Sequence, residues 1–476
     1  MKSINLLFIL LFASKTFSQI ASLSNTIDPK EFDKVMDTQV IPSNISGNYV
    51  IYASRPGSYS QDLTLVNPET GTIGKKISLP EYDSYKLFYN EGFSPFVSFK
   101  NSFGIIYSKK SGKGIELAAS TVNESFLPSP KLKSILYLPS SEYVVSEISD
   151  DQSIFVIGTA RLDKEKKVKV YSISAFDKDW NKVYSDSLIG DEENKNERFT
   201  IMAFNDGAAI SLAKQSSSQL KIYRASAKVT SNYNLAGENK LLSFSKIRNT
   251  SDGKLIACGL YGINYEESYA GVFKAVLNEN EKNLKSVTTY VPEKYAETIS
   301  KRLFIDNCNA LVMDDGSIYM VTYIKMKKDI SDFYFSLVGI NEKNEKWDRA
   351  IPVSADMNLS KQELSEDLAN NSIALVEYNK AVYLFYNDYR IGEKAEKLDF
   401  KAGDMAPMSA VPTRNKETHQ NIIKTDNKGK LELSSFEGVY ADYGKYSQST
   451  ILFGVYKPVL GYFYPNKCAI FNFKLK

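Results

Sequence analysis

Apolar stretches of four to nine residues alternate along this chain with short polar turns, and the alternation recurs as a unit. The clearest copy runs from Cys308 to Val353. Its apolar strands are Ala310–Met313, Ile318–Ile324, Phe333–Ile340 and Trp347–Ile351. The turn Asp314-Asp315-Gly316-Ser317 joins the first two, a variable loop follows the second, and Asn341 to Glu345 precedes the last. A second copy starts at Tyr143, turns at Asp150-Asp151-Gln152 and continues through Ile154–Thr159, Val168–Phe176 and Val183–Leu188. A third turns at Asp252-Gly253-Lys254, and a shorter one at Asn205-Asp206-Gly207. Apolar runs this short, bounded by Asp, Asn and Gly, read as antiparallel hairpins rather than helices. The Asp-Gly sequences are expected to provide the positive-φ positions of two-residue hairpin turns. The chain is therefore predicted to be all-β.

Fainter copies extend the repeat over Asn48 to Leu79, Phe96 to Phe126, Ile373 to Tyr389 and Ile422 to Tyr456. That makes about eight units of roughly fifty to sixty residues, near the spacing of propeller repeats. A four-stranded sheet with two apolar faces buries both only when several such sheets are set radially around a channel. The repeat resembles the β-propeller superfamily over nearly all of residues 19–476, which implies one propeller domain of about eight four-stranded antiparallel blades. Seven is the count if the terminal hairpins merge into one blade. The strand Cys468–Leu475 is expected to pair with an N-terminal strand and close the ring. Ser360 to Asn370 and Pro292 to Arg302 read as helical insertions between units. Two tandem β-sandwiches are the competing architecture, but sandwich domains repeat near ~100 residues. No single propeller family is indicated. The Trp-Asp strand ends of WD40 repeats, the Asp box of sialidases and paired kelch glycines are missing. The two tryptophans, Trp180 and Trp347, are too few for the Trp-docked blades of quinoprotein dehydrogenases.

The first residues change the picture of where the chain works. Lys2, the apolar run Leu6 to Phe12 and small residues at Thr16 and Ser18 follow the order of a signal peptide, 1–18, with cleavage before Gln19. The apolar run is too short for a membrane-spanning helix, which needs ~20 residues. Export to the periplasm, cell surface or medium of a bacterium is the expectation. Cleavage removes two of the 59 basic residues and none of the 56 acidic ones, so the formal charge falls from +3 to +1. So balanced a chain offers no electrostatic footprint for nucleic acid or an anionic membrane. The basic runs, Lys164 to Lys169 and Lys325 to Lys328 among them, read as solvated hairpin tips. Lys109 to Lys113 and Lys214 to Ser218 read as bland basic loops between second and third strands.

Candidate chemistry is narrowed mainly by what the chain lacks. Cys258, Cys308 and Cys468 are far apart and odd in number, which excludes a disulfide-stapled scaffold and a Cys-x-x-Cys knuckle. His419 is the only histidine and stands in the linker-like stretch Pro412 to Gln420, so neither a Ser-His-Asp triad nor a His-based metal site is nominated. No phosphate loop or dinucleotide fingerprint occurs. No catalytic residue, metal ligand or cofactor is assigned. The doublets Asp150-Asp151 and Asp314-Asp315 read as structural turn residues.

The candidate ligand residues are tyrosines on loops. Tyr261, Tyr265, Glu266 and Tyr269 crowd one loop, and Tyr440, Tyr443 and Tyr446 repeat the theme near the C-terminus. Tyrosine combines large contact area, low entropic cost and a hydroxyl, which suits recognition. These residues point to a binding module for a protein or glycan of the cell envelope. The alternative is a carboxylate-dependent glycoside hydrolase or lyase in the propeller channel, its acids drawn from distant blades. Acids from first strands converging on the channel mouth favour the enzyme, and an acid-free aromatic rim favours binding.

Overall fold

The computed structural model describes residues 21–27, 38–42, 50–54, 61–67, 70, 72–79, 93–100, 102–123, 125–129, 131–139, 143–191, 197–214, 217–234, 241–262, 271–278, 286–292, 304–325, 334–352, 373–388, 419–436, 450–454, 457–464 and 467–476. They form eight four-stranded antiparallel sheets. Seven sheets, blades 1 to 7 in chain order, are built from four consecutive strands each and span 38–79, 96–138, 143–191, 198–234, 241–290, 304–352 and 373–436. Blade 8 joins the C-terminal strands Thr450–Gly454, Lys457–Tyr464 and Lys467–Leu475 to the N-terminal strand Ala21–Ile27. Ala21 pairs with Leu475 and Ile27 with Ile470, so both ends of the chain complete one sheet, as the sequence suggested.

First strands of successive blades lie against one another from Tyr143–Ile148 of blade 3 onward to Thr450–Gly454 of blade 8, then to Thr38–Pro42 and Phe96–Phe99 of blades 1 and 2. Apolar layers fill the joints between blades. One unites Met202, Phe204 and Leu220 of blade 4 with Phe244, Ala257 and Phe273 of blade 5. Another unites Leu311, Val321 and Leu337 of blade 6 with Leu375, Leu384 and Ile423 of blade 7. Each sheet has a neighbour on both faces, which is why its strands read as nearly continuous apolar runs. This is an eight-bladed β-propeller, and the paired-sandwich alternative is excluded by the ring.

Two expectations are corrected in detail. The count of eight holds, but the last two units were divided wrongly. Ile373–Tyr378, Ala381–Asp388, His419–Thr425 and Leu431–Phe436 are one blade, with residues 389–418 between its second and third strands. That long connection masks the repeat. His419 therefore opens a strand, opposite Asp388, instead of lying in a linker. The two helical candidates lie outside the described residues, apart from Pro292.

Two of the Asp-Gly turns also differ from the two-residue type. Thr250 N–H bonds the Lys254 carbonyl and Gly253 N–H bonds Thr250, which makes a three-residue loop with one left-handed residue, Gly253 at φ +81°. Met313 to Ser317 repeats this with Gly316 at φ +83°. Two-residue turns do occur at Asn205-Asp206, as expected for that Asn-Asp-Gly stretch, at Gly112-Lys113 and at Asn379-Lys380, the last with φ of 49° and 61° and no glycine. Asn tolerates that region because its side chain bonds locally. The closing turns share one device. Asp177, Asn341 and Asp426 each accept two backbone N–H groups on one side-chain oxygen, at 2.8 to 2.9 Å. That explains why these turns resemble one another in sequence.

Candidate functional site

Strand order places the first-to-second and third-to-fourth turns of every blade on one face of the ring. Second-to-third loops and inter-blade connections leave from the other. On the turn face, charged groups from four blades meet at the mouth of the channel. The first strand of blade 5, Leu241–Asn249, carries Lys246 and Arg248 two residues apart, hence on the same side of the strand. A β-bulge between Phe244 and Lys246 re-aims this segment. Lys246 Nζ lies 3.3 Å from Glu147 Oε1 and 2.9 Å from Asp150 Oδ1, both in blade 3. The other Glu147 oxygen accepts the Ala203 N–H of blade 4 at 3.3 Å. Arg248 donates to Glu377 of blade 7 at 2.6 Å and to the Val312 carbonyl of blade 6 at 3.0 Å. Its other Nη stands 3.9 Å from Asp314.

Burial sets the electrostatics of this cluster. It pushes the Glu147 carboxyl above the ordinary carboxylate value despite the ammonium beside it. Burial pulls Lys246 down, but Asp150 and Glu147 outweigh it and hold the ammonium above its ordinary value. Channel water still reaches these groups: the Glu147 side chain is 27% exposed and that of Lys246 14%. Glu147 and Glu377 of first strands thus do converge on the channel, and each faces a cation. The Asp doublets divide their work. Asp151 and Asp315 cap their own turns, accepting the N–H groups of Ser153 and Ser317. Asp150 and Asp314 reach across to Lys246 and Arg248 of blade 5.

The rest of the turn face is stitched together from blade to blade. Lys100 N–H bonds Gln152 O, Asn249 N–H bonds Asn205 Oδ1, Ser251 N–H bonds Asp314 Oδ1, and Trp347 Nε1–H bonds Asn427 O. Tyr383 and Lys424 of blade 7 close on the carbonyl of Lys476. Exposed Asp252 is held by Lys254 and Thr250, which lower its carboxyl to about 2. A carboxyl-carbon NMR titration is expected to show that midpoint. In Lys254→Met it is expected to move up toward the ordinary carboxylate range.

Of the tyrosine candidates, Tyr261 is described, and it is in the core. It sits in the strand Leu255–Gly262, 6% exposed, within the apolar layer between blades 4 and 5. Gly271 opposite makes room for it, since a Cβ there would come within 2.8 Å of its ring. Burial raises its hydroxyl pKa, and the hydroxyl meets Thr289. Tyr265, Glu266, Tyr269, Tyr440, Tyr443 and Tyr446 lie outside the described residues. Connections 263–270 and 437–449 leave from strand ends on the loop face. Other tyrosines also serve the scaffold. Tyr184 stacks on Tyr223 at 4.8 Å and donates to Asp186, while Tyr171 donates to Glu197. Cys258 is a fully buried thiol. Among the described residues no group of three His, Cys, Asp or Glu is placed to hold a metal, and no helix is long and apolar enough to cross a membrane.

Sequence reasoning missed the channel cluster. Its one signal was a charge set in an otherwise apolar first strand just before the turn, as at Glu147 and Glu377.

No family model matches the chain, and no curated protein matches it. Solved structures do share its architecture at low likeness. The Dos1 propeller is 9% identical, with a TM-score of 0.44 over 95% of this chain and 96% of that one. The β-propeller domain of the trilobed protease from Pyrococcus furiosus is 10% identical, with a TM-score of 0.37 over 84% of this chain and 98% of that one. The polysaccharide lyase Uly1 is 10% identical, with a TM-score of 0.43 over 95% of this chain and 99% of that one. Likeness at this level carries no inference about this chain.

Proposed function

We propose that the chain is exported and acts as a binding module for a protein or glycan of the cell envelope, with its ligand site on the loop face. The observation that carries this reading is the state of the turn face. Among the described residues, many of its polar groups are held within their own turns or by neighbouring blades, and Lys246 and Arg248 are ion-paired with acids at the channel mouth. The longest connections, 353–372 and 389–418, and both tyrosine-rich segments belong to the opposite face. Variable loops on a rigid ring are where propellers gain recognition without altering their core.

The test is affinity capture of envelope extract on residues 19–476, with a Tyr265→Ser/Tyr269→Ser variant alongside. Tyr261 is left intact because its ring belongs to the core. Retention of one partner or glycan by the parent and its loss by an equally folded variant is the expected result. No retention by either form sinks the reading. Convergence of Glu147 and Glu377 on the channel is what a hydrolytic reading rests on. Glycan cleavage lost in Glu147→Gln would put that reading in its place.

A further inference from the structure

The loop face of blade 2 sets an exposed lysine tip beside an exposed tyrosine. Its second and third strands, Ser102–Ser111 and Gly114–Val122, join through a tip at Gly112 (φ +60°) where an added Cβ would meet open space. Lys109, Lys110 and Lys113 surround this tip, all exposed, and none of their side chains makes an ion pair or hydrogen bond with a described residue. Several other described lysines are committed, among them Lys221 to Asp186, Lys246 to Glu147 and Asp150, and Lys254 to Asp252. The corresponding tip of blade 3 also has three lysines, but Asp163 and Glu165 lie among them.

Tyr137 stands beside the tip. It is 50% exposed and lies on the fourth strand, Lys133–Leu138, in register with Glu116, which in turn pairs with Lys109. Its hydroxyl donates to the Ser111 carbonyl at 3.4 Å. Gly114 leaves the space the ring needs, since a Cβ there would lie 2.7 Å from the hydroxyl oxygen. The ring is thus held at its polar end with much of its surface facing water, in a pose that costs little entropy to use. A second exposed tyrosine, Tyr143 at 54%, begins the next blade on the same face. Glu116 is the one carboxylate of the rung, so three ammonium groups outnumber it.

We propose that this rim is a subsite for an anionic polysaccharide, with Tyr137 stacking on a sugar ring and the three lysines meeting its carboxylate or sulfate groups. It rests on the reading of the loop face as the binding face, but on other residues than the tyrosine loops. A flat, pre-positioned ring flanked by flexible point charges suits a repeating acidic glycan better than a protein, whose anchors need a desolvated pocket.

Binding of the full mature chain to polygalacturonate, dextran sulfate and neutral dextran tests this at low and high salt. One or both anionic polymers are expected to bind and neutral dextran not. Tyr137→Ala is expected to weaken binding about fivefold, from the loss of one aromatic contact. Lys109→Gln/Lys110→Gln/Lys113→Gln is expected to weaken it about tenfold at low salt, with the gap closing as salt screens the charges. The preferred polymer tells carboxylate from sulfate recognition. Absence of anionic binding overturns the proposal. So does a lysine variant that weakens binding while Tyr137→Ala, folded by circular dichroism, does not, because charge alone would then explain it. Capture through Tyr265 and Tyr269 has its own outcome, so either idea fails without the other.

Discussion

Trp347→Ala is expected to destabilise the protein by about 3–5 kcal/mol, the usual cost of deleting a buried tryptophan. The ring is 9% exposed and bridges blades 6 and 7. It covers Gly339 of its own blade, where any Cβ would overlap it, and a Cβ on Gly429 of blade 7 would lie 2.6 Å from Cδ2. Tyr319 packs edge-on at 5.9 Å, and Nε1–H donates to Asn427 O at 3.2 Å. With two glycines cut to its outline, the surroundings cannot collapse to fill the void, which places the cost high in the range. Trp180 offers a contrast: at 3% exposed it is enclosed more fully, against Phe99 and Phe155, but among the described residues its Nε1–H finds no acceptor. Trp180→Phe is therefore expected to cost less than Trp347→Phe, which also orphans an accepting carbonyl. Urea denaturation followed by circular dichroism checks both. A loss below about 1 kcal/mol for Trp347→Ala would contradict the wedge role.

Lys246→Ala is expected to cost about 2–4 kcal/mol near neutral pH, somewhat under the figure for a sealed buried pair because channel water reaches the cluster. The loss comes less from attraction forgone than from Glu147 and Asp150 left facing one another without a cation. The pH dependence carries a sign. Glu147 is raised by burial, so in the folded state its ionised form is disfavoured, and stability is regained as pH falls through its folded pKa. Lys246 lowers that pKa, and removing it raises Glu147 further. The deficit of Lys246→Ala should accordingly be largest at neutral to mildly alkaline pH and shrink toward acid. Adding Glu147→Gln should recover part of it. In the parent, the stability supplied by Lys246 is complete below the ordinary lysine pKa and is lost as pH rises through its elevated folded value. Urea midpoints for the three proteins at several pH values decide the matter. A deficit independent of pH would show that the cluster acts by packing alone.

What could be read along the chain was whatever neighbouring residues decide among themselves. Short, nearly continuous apolar runs mark strands, Asp, Asn and Gly mark turns, and both are settled within about ten residues. Hence the all-β class, the count of eight, the kinship of the closing turns and the C-terminal closing strand were all legible. Tertiary structure decided what depends on position around the axis. Residues 389–418 hid the unity of blade 7, because a repeat read by spacing breaks where an insertion changes the spacing. Lys246 meets Glu147 across 99 residues and Arg248 meets Glu377 across 129, and no local pattern encodes such pairings. Tyr261 shares its residue type with the loop tyrosines, yet its place near a strand end opposite Gly271 turns it into the core. Sequence thus determined the sheets, through short-range sterics and hydrogen bonding. Radial packing alone determined which charges face the channel and which rings face water, because that choice is made only when eight sheets close on one another.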